Sequence, residues 1–291
     1  MPAERKKKIL FIINPHSGIK SKLGFVDLIE QQIREDFIVK TRLTQRPEHA
    51  TEIALEAVES GVDAVIAVGG DGSVNEVGRA LIGTDVALGI IPLGSGNGFA
   101  RHLNIPLHEK DALQTINQFR TQIIDTATIN GTPFLATAGL GFDAQVGWQF
   151  ANHGTRGFLS YVQITASAFM GYKPKTYQLS IDGKEIETTA FLINFANAGQ
   201  YGNNAWIAPS ASLSDGLLNI CILDKFPKYY VPSIIYKLFN KKIEKLKYYR
   251  FLQGKEIWVR NPDIYHIDGE PRGTDVDLLI KIVPLSLKVI Y

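Results

Sequence analysis

The chain has 291 residues, of which 45% are hydrophobic and 21% charged, and its formal net charge is +2. This length supports two domains with substantial cores, and the composition is that of an ordinary globular protein. The small net charge gives no ground for a nucleic-acid partner. No run of about 18 apolar residues exists, which excludes a membrane-spanning helix. Arg5-Lys-Lys-Lys8 leads straight into a strand without the apolar stretch of a signal peptide. The one cysteine, Cys221, reads as a buried residue of the Leu217–Leu223 strand. A lone thiol supplies no disulfide framework, so a cytoplasmic location is expected.

Lys8–Ile13 reads as the first strand, and Asn14-Pro15-His16-Ser17-Gly18 as a turn before a helix running to about Arg34. Taken alone, that loop is an ordinary Pro-Gly turn. Phe37–Leu43 is the second strand. Thr44 follows it, and a helix is expected over Pro47–Ser60 with proline in its first turn; Thr44 then suits a helix cap.

The next stretch organises the chain. Ala64–Val68 is a short apolar run rich in β-branched residues, which reads as a buried strand. It ends in Gly69-Gly70-Asp71-Gly72, and a helix pattern follows with Val74, Val77 and Leu81 on one face. The design repeats: Val86–Ile91 is a strand, Gly94-Ser95-Gly96-Asn97-Gly98 a glycine-rich turn, and Phe99–Leu103 the start of another helix. Two strand–glycine loop–helix units present unpaired backbone N–H groups at helix N-termini, which suit phosphate. Asp71 is the odd residue, because a carboxylate in an anion-binding loop costs energy unless it serves a cation or a proton; the simplest account routes it through Mg²⁺ beside a polyphosphate. The spacing matches neither the Rossmann fingerprint nor the Walker A loop. With a further helix over Glu109–Gln118, residues 1–122 read as alternating β and α. That implies a mostly parallel α/β domain with its loops at the carboxyl ends of the strands.

After Gln122 strand patterns dominate: Ile123–Ile129, Pro133–Ala138, Tyr177–Ile181, Thr188–Asn197, Leu217–Leu223, Lys247–Leu252, Glu256–Val259, Ile264–Ile267 and Val276–Val283. Turn signals at Asn130-Gly131 and Asp182-Gly183 separate some of them. An antiparallel β-sandwich is expected over 123–284, interrupted by helices at about Thr155–Phe169 and Tyr229–Asn240. Ile267-Asp268-Gly269-Glu270 sets two carboxylates around a glycine after a strand. This suits either a hairpin turn or a proton acceptor for phosphoryl transfer. Lys225–Phe251 holds seven lysines, one arginine and one glutamate with interleaved tyrosines and phenylalanines. It reads as a basic aromatic surface for anionic lipid or as a solvated face over a core. Trp148, Phe150, Phe158, Tyr161 and Phe169 suit an acyl pocket or a helix core face.

Gly69-Gly70-Asp71-Gly72-Ser73-x-Asn75-Glu76, followed by Pro92-x-Gly94-Ser95-x-Asn97-x-Phe99-Ala100-Arg101, resembles the diacylglycerol kinase catalytic domain. More narrowly it resembles the bacterial lipid kinases of the YegS/BmrU type, relatives of sphingosine, ceramide and NAD kinases. The resemblance spans nearly the whole chain. It implies an α/β nucleotide-binding domain, a β-sandwich domain and a tail, 285–291, that returns to the first. It implies ATP contacts from Asn14, Pro15, Ser17 and Gly18, with His16 in a variable slot. Further contacts come from Thr44, ahead of His49-Ala50, from Gly70, Asp71, Gly72, Ser73, Val74, Asn75 and Glu76, and from Ser95. Glu270 matches the family's proposed proton acceptor, with Asp268 and Asp71 as competitors. Ser212-Leu-Ser-Asp215-Gly216-Leu217 resembles a motif in which Asp215 and the carbonyls of Ser212 and Leu217 bind a structural Mg²⁺, and Asp125 matches an acid of a water-mediated Mg²⁺ network.

Two departures stand out. Ser73 replaces the usual threonine and keeps the hydroxyl. Gly98 replaces a carboxylate that helps hold the Mg²⁺ network, which brings the loop nearer the sphingosine and ceramide kinase pattern. The implied activity is transfer of the γ-phosphate of Mg·ATP to a lipid hydroxyl, with diacylglycerol giving phosphatidic acid for phospholipid biosynthesis, at the inner membrane face. A sphingoid, ceramide or phosphatidylglycerol acceptor, an NAD kinase, and a non-catalytic nucleotide- or lipid-binding module are the alternatives. The sequence leaves open whether the chain forms a homodimer.

Overall fold

In the computed structural model, residues 5–17, 23–152 and 158–291 are described. They form two compact units, Met1–Ile124 with Leu285–Tyr291, and Asp125–Pro284.

The first unit runs β1 (Lys7–Ile13), α1 (Leu23–Gln32), β2 (Phe37–Leu43), α2 (His49–Glu59), β3 (Ala64–Gly69), α3 (Asp71–Leu81), β4 (Ala87–Pro92), α4 (Gly98–His102) and α5 (Glu109–Gln118). Its strands pair in parallel in the order β2-β1-β3-β4. Every residue of β3 and β4 is buried, as expected of strands covered on both faces by helices. The chain passes from β1 to β2 on one side and to β3 on the other, so the crevice for a ligand lies between the carboxyl ends of β1 and β3. The loops after both strands open there.

Helix α2 begins at His49, two residues later than expected: Pro47 lies in the preceding turn and Glu48 adopts a left-handed conformation. No side chain caps α2 through its N-cap residue, so Thr44 is not a cap; it is buried, and its N–H donates to the Ile13 carbonyl.

The second unit adds β5 (Thr121–Ile129, entering from the first unit), β6 (Thr132–Phe134), β7 (Thr137–Gly141), α6 (Phe142–Asn152), α7 (Phe158–Gly171), β8 (Lys175–Ile181), β9 (Lys184–Ala196), β10 (Gln200–Gly202) and β11 (Ala205–Trp206). It continues with β12 (Leu218–Asp224), α8 (Val231–Phe239), β13 (Tyr249–Gly254), β14 (Glu256–Val259), β15 (Ile264–Ile267), β16 (Glu270–Gly273) and β17 (Leu278–Ile290). Long β9 pairs antiparallel with β7, β8 and β12, and β15 joins β7 to β16. This is the expected antiparallel β-sandwich. Alternation divides its core: Ile193, Phe195, Ile220 and Ile222 pack with Leu179, Ile257 and Ile280 on one face. Phe191, Leu192, Cys221 and Leu223 pack with Phe142 and Tyr249 on the other. Because β12 is buried on both faces, its sequence is mostly apolar, with a buried cysteine and a buried Asn219 whose Nδ2 donates to the Ala196 carbonyl.

Several boundaries differ from expectation. Pro133–Ala138 is two strands, β6 and β7. The helix expected over about Thr155–Phe169 is α7, which runs on to Gly171, with Thr155 outside the described residues, and α6 before it is a helix the sequence pattern did not suggest. The strand expected to stop at Val283 continues as β17 to Ile290. Its last residues belong to the first unit, where Val289 pairs in parallel with Leu88 and the Tyr291 N–H donates to the Arg120 carbonyl.

Buried Asn117 ties α5 to the end of α1. Its Nδ2 donates to the Gln32 carbonyl at 2.7 Å and its Oδ1 accepts the Arg34 N–H at 3.1 Å. Asn117→Ala leaves both backbone groups without that partner and is expected to lower unfolding stability by about 1–3 kcal/mol, measured as a shift of the urea midpoint at unchanged slope.

Candidate functional site

Three loops meet at the carboxyl ends of β1, β3 and β4. Asn14 Nδ2 donates to Ser73 Oγ at 3.1 Å, joining the loop after β1 to the start of α3. Asn14 Oδ1 accepts the His16 N–H at 2.9 Å, and Ser17 Oγ donates to the Asn14 carbonyl at 3.0 Å, so the turn is held by its own side chains. Pro15 and His16 are exposed, and Gly18 lies outside the described residues. The Leu93 N–H donates to the Gly69 carbonyl at 2.7 Å. A Cβ on Gly94 would stand 2.5 Å from the Gly70 Cα and 2.8 Å from Asn97 Oδ1. The two glycine loops therefore pack backbone against backbone, and glycine is required there by the loops themselves. Gly72 instead faces open space.

Asp71 completes this packing. Its Oδ1 accepts the Gly98 N–H at 2.7 Å and its Oδ2 the Asn97 N–H at 2.8 Å. These two donors of the second glycine loop, expected to stand bare, are thus taken inside the protein. Burial pushes its carboxyl above the ordinary value, against the pull of those N–H groups. Glu76 is committed in the same way: its Oε2 accepts the Ala50 N–H at 3.1 Å at the start of α2, and burial again raises its carboxyl. Val74 and Ser73 are buried, and Ser95 is exposed. Asn75 is buried, with Oδ1 lacking a hydrogen-bond partner among the described residues. An orphaned buried acceptor beside an exposed α3 N-terminus fits a bound nucleotide, which can supply the missing donor.

In the second unit Asp268 and Gly269 form the two-residue turn between β15 and β16, both at positive φ (48° and 86°), as a type I′ hairpin requires. The Asp268 carboxylate accepts three backbone N–H groups, from Leu135, Ala136 and Thr137, each at 2.9 Å. Burial raises its carboxyl nonetheless. Glu270 opens β16 and is exposed, with the Arg272 guanidinium 3.9 Å from its Oε2. Below the turn lies a group that sequence reasoning missed. Asp143, in the first turn of α6, accepts from Tyr201 Oη at 3.0 Å and lies 3.2 Å from His266 Nε2. His266 Nδ1 in turn takes the Gly269 N–H at 3.4 Å. The available signal was an acid directly after Gly139-Leu-Gly141-Phe at a strand end. Gly141 sits at φ 93°, where a Cβ would meet the Phe191 carbonyl at 2.7 Å.

Asp125 is buried; its Oδ2 accepts the Gly216 N–H at 2.7 Å and its N–H donates to the Leu213 carbonyl. Asp215 is exposed, and its Oδ1 accepts the Leu217 N–H at 3.1 Å. Asp125 is thus tied to the Ser212–Leu217 turn through Leu213 and Gly216, and the turn carries the exposed Asp215 carboxylate, an oxygen ligand of the kind that suits a hard divalent cation. Among the described residues no cluster of three or more His, Cys, Asp or Glu has metal-binding spacing. Of the expected acyl-pocket residues, Trp148 is exposed, and Phe169 sits in an aromatic cluster with Phe142, Phe191 and Phe226. Phe150 packs against that core, while the side chains of Phe158 and Tyr161 lie outside the described residues.

The phosphate-loop architecture and acidic hairpin define a kinase of the diacylglycerol kinase type. The diacylglycerol kinase catalytic domain model matches residues 8–129, and the YegS C-terminal NAD kinase beta sandwich-like domain model matches residues 136–291. The chain belongs to the YegS-like family of lipid kinases, phosphotransferases with an alcohol group as acceptor. It is 30% identical to a Yersinia pestis (strain Pestoides F) protein named "Probable lipid kinase YegS-like", over 81% of this chain and 82% of that one. It is also 30% identical to an uncharacterized Synechocystis protein over 96% of this chain and 69% of that one. A solved structure described as a diacylglycerol kinase of Bacillus anthracis str. Sterne shares the fold at TM-score 0.75 and 21% identity, covering 99% and 98% of the two chains. An NAD kinase of Archaeoglobus fulgidus in complex with ATP shares it at TM-score 0.53 and 12% identity, covering 97% and 93%.

The glycine packing yields a paired test. Gly94→Ala is expected to destabilise the protein by about 1–3 kcal/mol, since rigid backbone must shift to admit the methyl. Gly72→Ala, whose Cβ meets nothing within 4 Å, is expected to stay within about 0.5 kcal/mol of the parent. Parallel denaturant titrations separate the two.

Proposed function

We propose that this chain transfers the γ-phosphate of ATP to the free hydroxyl of diacylglycerol, giving phosphatidic acid for phospholipid biosynthesis at a membrane surface. The lipid oxygen forms the new bond to phosphorus, the bond to the β-phosphate bridging oxygen breaks, ADP leaves, and the hydroxyl proton passes to a carboxylate of the protein. The observation that carries the assignment of that base is the state of the three candidate acids. Asp71 has both oxygens on backbone N–H groups, and Asp268 holds three such donors. Glu270 alone of the three is exposed with no backbone N–H on its carboxylate among the described residues. The oxygens of Asp71 and Asp268 are engaged by backbone N–H groups inside the protein, whereas those of Glu270 are open to an incoming hydroxyl.

In this reading Asp268 holds the turn that presents Glu270, and the Asp143–His266 pair supports it from below. Asp71 fixes the second glycine loop. Asn14, Ser17, Thr44, the Gly70–Glu76 segment and Ser95 surround the nucleotide, with Asn75 Oδ1 taking a donor from it. Mg²⁺ supplies charge neutralisation on the phosphates. A structural Mg²⁺ would be held by Asp215 with the Ser212 and Leu217 carbonyls and supported by Asp125.

The test is incubation of purified protein with γ-labelled Mg·ATP and mixed micelles of diacylglycerol, ceramide, a sphingoid base or phosphatidylglycerol, beside NAD without detergent. Label on diacylglycerol is expected. Label on another lipid changes the acceptor, and label on NAD alone or on nothing overturns the reading. Glu270→Gln is expected to lower kcat by about 10²–10⁴-fold with ATP affinity and Tm unchanged. If Glu270→Gln retains full kcat, Glu270 is not the base.

A further inference from the structure

We propose that the outer face of α8 and the turns flanking it form a docking surface for an anionic lipid bilayer. Helix α8 has a dual character. Ile234 and Leu238, with Tyr230 from the turn just before the helix, pack on the sandwich core. Large apolar residues are exposed as well: Ile235 51%, Tyr236 57% and Phe239 43% on the helix, and Tyr229 77% in the preceding turn. A contiguous group of large apolar side chains left in water marks an interaction site, and on one helix it matches the geometry of an interfacial membrane helix.

Charge selects the occupant. Residues 225–251 carry seven lysines and one arginine against one glutamate, within a chain whose total is only +2, so the remainder is net acidic. Arg250 is paired with Asp224, and Glu244 accepts from Ser210. Among the described residues none of the seven lysines is ion-paired with an acid. Lys241 instead lies 3.9 Å over the Trp206 ring, Lys242 5.7 Å over Tyr236 and Lys247 5.8 Å over Tyr248. Of these rings Tyr236 is exposed, so Lys242 is held beside a ring in water, an arrangement suited to the headgroup level of a bilayer. Two copies of this chain meeting through the face would set like charges against each other. A bilayer rich in anionic headgroups offers both the apolar layer for the rings and the negative potential for the lysines.

The purpose of the surface rests on the lipid-kinase reading, but its test does not. Vesicle flotation compares neutral phosphatidylcholine vesicles with vesicles containing about a third phosphatidylglycerol. The protein is expected to float with the anionic vesicles, less so as salt rises. Lys228→Glu with Lys242→Glu is expected to lower partitioning by at least about tenfold, as is Tyr236→Ser with Phe239→Ser through lost apolar burial. All four positions are exposed, so Tm is expected to hold. The rate on a dispersed short-chain diacylglycerol is expected to match the parent in both variants while the rate on vesicles falls. Equal flotation of parent and variants overturns the docking proposal. So does a parent that ignores the anionic vesicles, or a pair of serines that converts a dimer to a monomer without changing flotation. Anionic-vesicle binding by a protein that phosphorylates no lipid leaves the surface standing and removes the kinase reading instead.

Discussion

The first unit depends on one carboxylate placed against two backbone N–H groups. Asp71 sits at the N-terminus of α3 and reaches across to Asn97 and Gly98, the first residues of the next helix. Side chains that accept N–H bonds at helix starts normally come from the same chain segment. Here the cap comes from the neighbouring loop, so one interaction sets the spacing of two loops. Glycine at 94 then becomes obligatory, because that spacing brings its backbone against that of Gly70. Asn14 extends the same logic to β1 through Ser73. The result is a rigid rim at the switch point of the parallel sheet, in which the remaining open feature is the α3 N-terminus with the unsatisfied Asn75 acceptor. A phosphoryl-transfer site gains most from such preorganisation, since its catalysis is largely positioning and charge.

The second unit repeats the device. Asp268 gathers three consecutive N–H groups leading into β7, which fixes a hairpin turn whose next residue is Glu270. His266 reaches the same turn through the Gly269 N–H and is itself held by Asp143. Two acids around one glycine thus have opposite fates. The first is structural because its oxygens are occupied, and the second stays available because the turn directs it to solvent. Burial raises the Asp71 and Asp268 carboxyls, and taken alone such shifts would flag both as acid–base groups. The hydrogen bonds to both acids show a structural use as well, which burial alone does not reveal.

The fold was legible where hydrophobic period and turn chemistry agreed. Strands β2, β14 and β15 and helix α5 fall where pattern alone sets them, with turn residues such as Gly254, Pro262 and Asp268-Gly269 marking the limits of β14 and β15. Legibility failed at α6. Phe142–Asn152 mixes glycine, glutamines and aromatics without a clean amphipathic stripe, since it packs against β7, β15 and β16 at once. Helix α2 was misjudged at its start because Pro47 suits a first helical turn, whereas the cap is supplied from Glu76 on another helix. The glycine loops were visible as motifs, but their meaning was only half visible. Sequence can show that a glycine run borders a helix; it cannot show that Gly94 faces Gly70 and not a ligand. The Tyr201–Asp143–His266 chain joins residues more than fifty positions apart in sequence, and no local pattern encodes it.

The distribution of charge carries the same lesson beyond the site. Most acids and bases that stabilise this fold are spent locally: Arg250 on Asp224, Arg260 on Asp277, Lys175 on Asp263. Among the described residues the lysines around α8 pair with no acid, although Lys237 Nζ donates to the Lys245 carbonyl, and Tyr236 and Phe239 beside them stay exposed. Leaving such rings in water costs solubility. A kinase whose acceptor lives in a bilayer has a use for that expense, because the enzyme must approach a two-dimensional substrate in a fixed orientation. In the docking we propose, a single amphipathic helix with a basic rim would provide orientation as well as affinity, the rings choosing the face that enters the interface and the lysines its depth at the headgroups.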